Sequence, residues 1–187
     1  MAVKVYIDQG HNPVNPNAGA EGNGYREQDL VYTIGVLTAE ILQVAGIETR
    51  LSRPTPQTQL GTSVSSSLAE RVRDANVWGA DYFISLHANA SEITTASGSE
   101  AYVFSSASSS VPLAENILDQ LNINTGLPSR GVFARPSLYV LRRTQMPATL
   151  IELGFITNPY DATLMAESPQ LFAAGVANGV LAYLGML

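Results

Sequence analysis

Cysteine is absent from this 187-residue chain, which excludes disulfides, thiolate metal sites, thiol nucleophiles and thiol redox chemistry together. Charge is scarce too: 14% of residues are charged against about a quarter in an average soluble chain. Yet 45% are hydrophobic, so the composition is that of a folding chain and not a disordered one. There is no basic run, and 16 acidic against 10 basic residues leave a net charge of -6. That balance argues against nucleic acid, an anionic membrane or a phosphate-rich ligand as partner. Also missing is any apolar run near the roughly 20 residues that span a bilayer. The start MAVKVYIDQGH places Asp8 and His11 where a signal peptide would stay apolar. The expectation is a soluble, unexported monomer whose residues 1–187 form a single domain, long enough to bury a sizeable core.

The apolar, β-branched run VKVYID predicts a strand ending near Asp8, followed by an Asn/Gly/Pro-rich loop to about Tyr25. From Arg26, the positions Leu30, Val31, Ile34, Leu37, Ile41 and Leu42 recur at helical spacing until Gly46. IETRLSR predicts a second strand, and residues 54–67 have the composition of a surface loop. A helix over 67–79 leads into the buried-strand run of DYFISLHANA. Then come GSEAYVF as strand, a helix from Val111 to about Ile123, an irregular Gly/Pro stretch, SLYVLRR and PATLIELGF as strands, and two closing helices from Pro159 and Pro169. Six short strands alternating with helices predict a three-layer α/β fold: a mostly parallel, twisted six-stranded sheet with helices on both faces.

Three of the apolar strands end in a group able to bind a metal or a proton: VYID leads to His11, FISL to His87 and TLI to Glu152. In open α/β sheets ligands bind beyond the carboxyl ends of strands, so residues far apart in sequence can converge there. His11 and His87 are the only histidines. Two imidazoles suit zinc, whose catalytic sites take three protein ligands and keep a fourth position for water. Glu27, where the long loop becomes a helix, is the best-placed third ligand, with Glu21 and Asp29 as competitors. Glu152 is then left over as acid or base. Arg142, Arg143 and Asn89 are the candidate substrate contacts; with adjacent strand residues facing opposite sides, one of the two arginines points inward. Asp8, Ser85 and Asn89 are candidates to hold a ligating imidazole. Arg71, in RVRDAN, is expected to tie a helix to a neighbouring loop.

The blocks IDQGH (7–11), GNGYREQDL, SR (52–53), RVRDAN (71–76), SLHANA (85–90) and MPATLIELGFITN (146–158), in this order, resemble the zinc-dependent N-acetylmuramoyl-L-alanine amidases of the amidase 3 family. The resemblance runs from residue 3 to about residue 183. It implies one zinc ion on His11, Glu27 and His87, with Glu152 as the catalytic glutamate. It further implies hydrolysis of the amide bond between the lactyl group of N-acetylmuramic acid and L-alanine of the stem peptide. Bacterial peptidoglycan is then the partner and the cell wall the place of action. Lysis from within a cell and excision from a longer exported protein both fit the missing signal. The first block departs from the family's Asp-Pro-Gly-His-Gly-Gly, reading Asp8-Gln9-Gly10-His11-Asn12-Pro13. No separate wall-binding domain is expected within 1–187. The alternative functions are a zinc peptidase acting on another stem bond and a wall-binding protein of the same fold without turnover.

Overall fold

The computed structural model describes residues 2–187. Chain order is β1 (Lys4–Gln9), β2 (Glu21–Gly22), β3 (Tyr25–Arg26), α1 (Glu27–Val44), β4 (Glu48–Leu51), α2 (Val64–Trp78), β5 (Tyr82–Asn89) and β6 (Ser99–Val103). There follow α3 (Val111–Thr125), β7 (Ser129–Ala134), α4 (Tyr139–Arg143), β8 (Ala148–Phe155), α5 (Pro159–Glu167) and α6 (Pro169–Tyr183). Six strands form one sheet in the order β4-β1-β5-β8-β6-β7. All neighbours pair in parallel except β6 with β8. The expected three-layer α/β architecture is what the chain adopts.

Alternation along the strands sorts the core into two. Val5, Ile7, Ile84, Leu86, Ala101, Val103, Ile151 and Leu153 face the layer of α1, α3 and α6, meeting Val31, Ile34, Ile117 and Val176. Tyr6, Phe83 and Leu150 face the other way, toward Val72 and Ala75 of α2 and Val140 and Leu141 of α4. Truncating one such buried leucine or isoleucine to alanine costs roughly 2–5 kcal/mol, so both layers are needed to keep the sheet's strand ends in place. The polar residues Asp8, Ser85, His87 and Glu152 sit on the α2/α4 side by the same alternation.

Two elements differ from the sequence expectation. SLYVLRR is not a strand: Tyr139–Arg143 form the short helix α4, whose adjacent buried residues Val140 and Leu141 pack against the sheet. The sixth strand is instead β7, inside the Gly/Pro stretch; it is an edge strand with half of its residues or more exposed to solvent, so it lacks the apolar pattern of a buried strand. The second difference is the start of α2, which lies at Val64 and not after Ser67. Ser63 and Ser66 cap each other reciprocally across the first turn, so serines with the composition of a loop here begin a helix. The structure also adds the small β2–β3 hairpin inside the first loop. Its turn is Asn23-Gly24, both at positive φ (52° and 84°), the pairing favoured in two-residue hairpin turns.

Candidate active site

The first group is assembled by the loop after β1, the start of α1 and strand β5. β1 ends at Gln9, and the chain then turns through Gly10, whose N–H bonds the Leu86 carbonyl at 3.0 Å. His11 follows in the left-handed region (φ 65°), an uncommon place for a residue with a side chain. It is held there from outside. Arg71 of α2 donates to the carbonyls of Gln9 (2.7 Å) and His11, and to Asp8 Oδ1 (2.6 Å), while Ser85 donates to Asp8 Oδ2 (2.7 Å). Asn12, fully buried, donates to the Pro16 and Leu60 carbonyls and accepts from the Leu60 N–H. The departure from the family's first block is thus a peg that fixes the loop after His11. Arg71 ties α2 to this loop, as the sequence suggests.

Glu27 comes from the other direction. The β2–β3 hairpin is docked by Asn23, which donates to the Ile156 carbonyl at 2.8 Å, and it delivers Glu27 as the first residue of α1. Its Oε1 lies 3.1 Å from His11 Nε2 and 3.0 Å from His87 Nδ1. The Ala88 N–H also donates to Oε1, and the Ala20 N–H to Oε2. Burial alone would push this carboxyl upward, but the hydrogen bonds and charges of both histidines outweigh it and hold Glu27 far below the usual carboxylate range. Glu21 and Asp29, the competitors, are exposed and pair loosely with Arg26. Glu27, His11 and His87 therefore form one group, with a possible ligating atom from each within 4.8 Å of the others. Side-chain exposure is 21% and 19% for the histidines and 5% for Glu27, so the rings border the opening and the carboxylate backs them.

Two imidazoles and one carboxylate, converging and open on one side, fit a catalytic zinc ion that keeps a position for water. The backbone also reserves the space. A Cβ on Gly10 would lie 2.6 Å from Cε1 and 2.7 Å from Nε2 of His87. Gly10→Ala is accordingly expected to displace the His87 ring and weaken zinc retention about 10- to 100-fold, the cost typical of disturbing a ligand's support. Competition with a chromogenic chelator, beside a melting curve showing that the variant is folded, checks this; zinc retention equal to the parent's would contradict it.

Glu152 sits on β8 directly opposite His87 in register. Its Oε2 is buried with no hydrogen-bond partner among the described residues. Burial first, and then the charges of Glu27 and Glu100, push it up to about 8. A carboxyl in that range can both accept and return a proton near neutral pH. Beside His11 and His87 a cavity of about 120 Å³ reaches down to Leu68, Leu138, Val140 and Leu150. Pockets that enclose drug-sized ligands run to roughly 300–1,000 Å³, so this one takes a small side group and leaves the rest of a larger substrate across the open surface.

The three remaining candidates are outside the His11–Glu27–His87 group. Asn89 donates to Glu100 Oε1 at 2.8 Å. Arg142 and Arg143 belong to α4 and not to a strand, so the alternation that would aim one of them inward does not operate, and both are exposed. Among the described residues neither makes a hydrogen bond or ion pair with His11, Glu27, His87 or Glu152, while the Arg143 carbonyl accepts from Asn76 at 3.2 Å. Asp8 accepts from both Ser85 and Arg71, and among the described residues neither Asp8 nor Ser85 hydrogen-bonds an imidazole. Sequence reasoning missed Glu100, which faces Glu152 across the antiparallel β6–β8 pair; the signal was an acid inside the apolar run GSEAYVF.

The family model of the N-acetylmuramoyl-L-alanine amidases matches residues 5–182. The chain belongs to this family. Among amidase relatives, N-acetylmuramoyl-L-alanine amidase LytC of Bacillus subtilis is 33% identical over 183 residues, covering 96% of this chain and 35% of LytC. The endolysin of Bacillus phage SPP1 is 32% identical, over all of this chain and 68% of that protein. The chain thus spans about a third of the length of one such relative and two thirds of another. A crystal structure of an N-acetylmuramoyl-L-alanine amidase from Clostridium difficile 630 superposes with a TM-score of 0.87 at 30% identity, covering 98% of this amidase-family chain and 97% of that one. Among the described residues, no helix is long and apolar enough to cross a membrane.

Proposed function

We propose that this chain hydrolyses the amide bond between the lactyl group of N-acetylmuramic acid and L-alanine in bacterial peptidoglycan, with zinc held by His11, Glu27 and His87 and with Glu152 as the proton carrier. The observation that carries this reading is the unpartnered, buried carboxyl of Glu152 facing a group of two histidines and a glutamate. Family membership supports the scissile bond, and the amidase and endolysin relatives support the bacterial wall as the place of action.

The chemistry supplied by zinc held there is Lewis acidity toward a carbonyl and toward water. The protein does the rest. Glu27, fixed by two backbone N–H groups, keeps the histidine rings turned to the opening. Gly10 and the Arg71 clamp hold His11 and His87 at fixed separation, with ring centroids 4.8 Å apart. Glu152 takes the proton from the attacking water and returns it to the alanine nitrogen as the bond breaks. The apolar wall of Leu138, Val140 and Leu150 keeps bulk water off one side of the reacting amide.

The test is mass spectrometry of a disaccharide–peptide fragment of peptidoglycan, incubated with the protein plus zinc and, in parallel, with a chelator. The expected product is a free stem beginning with L-alanine, formed only with zinc. Cleavage within the stem would replace this reading with a peptidase, and an intact fragment with zinc bound would replace it with a binding protein.

A further inference from the structure

Polar residues from five adjacent strands line up across the sheet: His11 just past β1, His87 on β5, Glu152 on β8, Glu100 on β6 and Arg130 on β7. The proposed reaction uses the first three. Glu100 and Arg130 are built with equal care. Like charges directly opposite across a strand pair repel, and Glu100 stands opposite Glu152. Glu100 is held by three donors: Asn89 Nδ2 at 2.8 Å, the Tyr102 hydroxyl, and Arg130 Nε at 2.9 Å.

Arg130 reaches Glu100 through a bulge. Ser99 pairs with Ser129 but Glu100 with Gly131, so Arg130 is the extra residue that a bulge re-aims. Its guanidinium lies over the Phe155 ring, 5.0 Å from the centroid, and Nη1 donates to the Ser97 carbonyl at 3.4 Å. Nη2 makes no hydrogen bond among the described residues, and the side chain is 42% exposed. A guanidinium held through Nε and Nη1, with Nη2 free among the described residues and the side chain partly exposed, has N–H donors left for a carboxylate.

The direction of the substrate follows from the proposed amide hydrolysis, on which this inference rests. Glu152 hands its proton to the alanine nitrogen, so the peptide stem departs on the Glu152 side of the row. The next strand, β6, lies about 4.8 Å farther on, and one residue of extended peptide spans about 3.3–3.6 Å. With the stem continuing across the sheet, the residue after alanine comes over Glu100 on β6, to which the Arg130 side chain reaches in from β7. We propose that Arg130 is a specificity-determining residue that receives the α-carboxylate of the second residue of the stem, with Glu100 holding its guanidinium in place.

The experiment compares kcat/KM on two disaccharide–peptides that are identical except that the second stem residue carries a free α-carboxylate or an α-amide. The parent is expected to prefer the carboxylate by about 10- to 100-fold, the range for a hydrogen bond to a charged group. In Arg130→Ala that preference should collapse to within about twofold, the loss on the carboxylate substrate exceeding the loss on the amide; Arg130→Lys should retain part of it. Melting curves accompany both variants, and if Arg130→Ala does not fold, Arg130→Gln supplies the ratio. An equal loss on both substrates would reduce Arg130 to a prop for Glu100, and a parent without preference would sink the proposal outright; either leaves the amidase reading standing. If the parent cleaves neither substrate at the alanine bond, that reading falls first, and the role of Arg130 with it.

Discussion

Glu152→Gln is expected to lower turnover by about 10²–10⁴, the usual worth of a positioned proton carrier, while leaving zinc content unchanged. The substitution keeps the shape of the side chain and removes only its ability to take up a proton. Glu152 is not part of the His11–Glu27–His87 group, so the metal should stay. Because its carboxyl is pushed up to about 8 by burial and by Glu27 and Glu100, the amide also relieves a charge that the fold disfavours, and the variant should melt no lower than the parent. Single-turnover rates on a disaccharide–peptide, with metal analysis of the same preparation, decide the matter. A rate near the parent's would remove Glu152 from the reaction.

Arg71→Met should be the most destabilising of the substitutions considered. Asp8 and Arg71 are almost completely buried and joined at 2.6 Å, and removing one member of such a pair typically costs about 3–5 kcal/mol because the other charge stays buried alone. Against a total stability of about 5–15 kcal/mol, that is a melting-point loss of roughly 6–20 °C at 2–4 °C per kcal/mol for a chain of this size. Zinc affinity should fall as well, since Arg71 also holds the His11 carbonyl. Adding Asp8→Asn should restore part of the stability, as coupled neighbours do in a double-mutant cycle; additive losses would contradict the pairing. Acid provides a second check. Burial opposes the charge on Asp8, but Arg71 and Ser85 outweigh it and hold the carboxyl below its ordinary value. A depressed folded value means stability that is complete above the unfolded pKa of about 3.9 and is lost as the pH falls below it. The parent should therefore lose stability on acidification through this range more steeply than the Asp8→Asn/Arg71→Met double variant.

Most of the architecture was legible because buried parallel strands and amphipathic helices leave strong periodic marks, as in VYID, FISL and the Leu30-to-Leu42 stripe. Where the periodicity is weak the sequence misled. β7 is an exposed edge strand, whereas Val140 and Leu141 gave α4 the apolar look of a strand. His11, His87 and Glu152 stood out because polar groups at the ends of apolar runs are conspicuous, and Glu27 was preferred to Glu21 and Asp29 for its place where the long loop becomes a helix; what the sequence did not show is the docked hairpin that delivers it. That hairpin lies in a stretch read as loop, although its Asn23-Gly24 turn is a hairpin signal. Nothing local could place Glu100 or Arg130 beside Glu152, since their meeting depends on an antiparallel strand and a bulge.

That reversal of direction has a consequence for remodelling the enzyme. β1, β5 and β8 run toward the site, while β6 and β7 run away from it. The loop before β6 (90–98) and the short connection before β7 (126–128) therefore both rim the cleft on its Arg130 side. Lengthening or grafting either would reshape which peptides fit without moving a metal-binding side chain. An insertion at 104–110, which leaves β6 from its other end, would be invisible to the substrate. Under the proposed function the metal side is set by strand ends and the peptide side by strand beginnings, so the two can diverge independently.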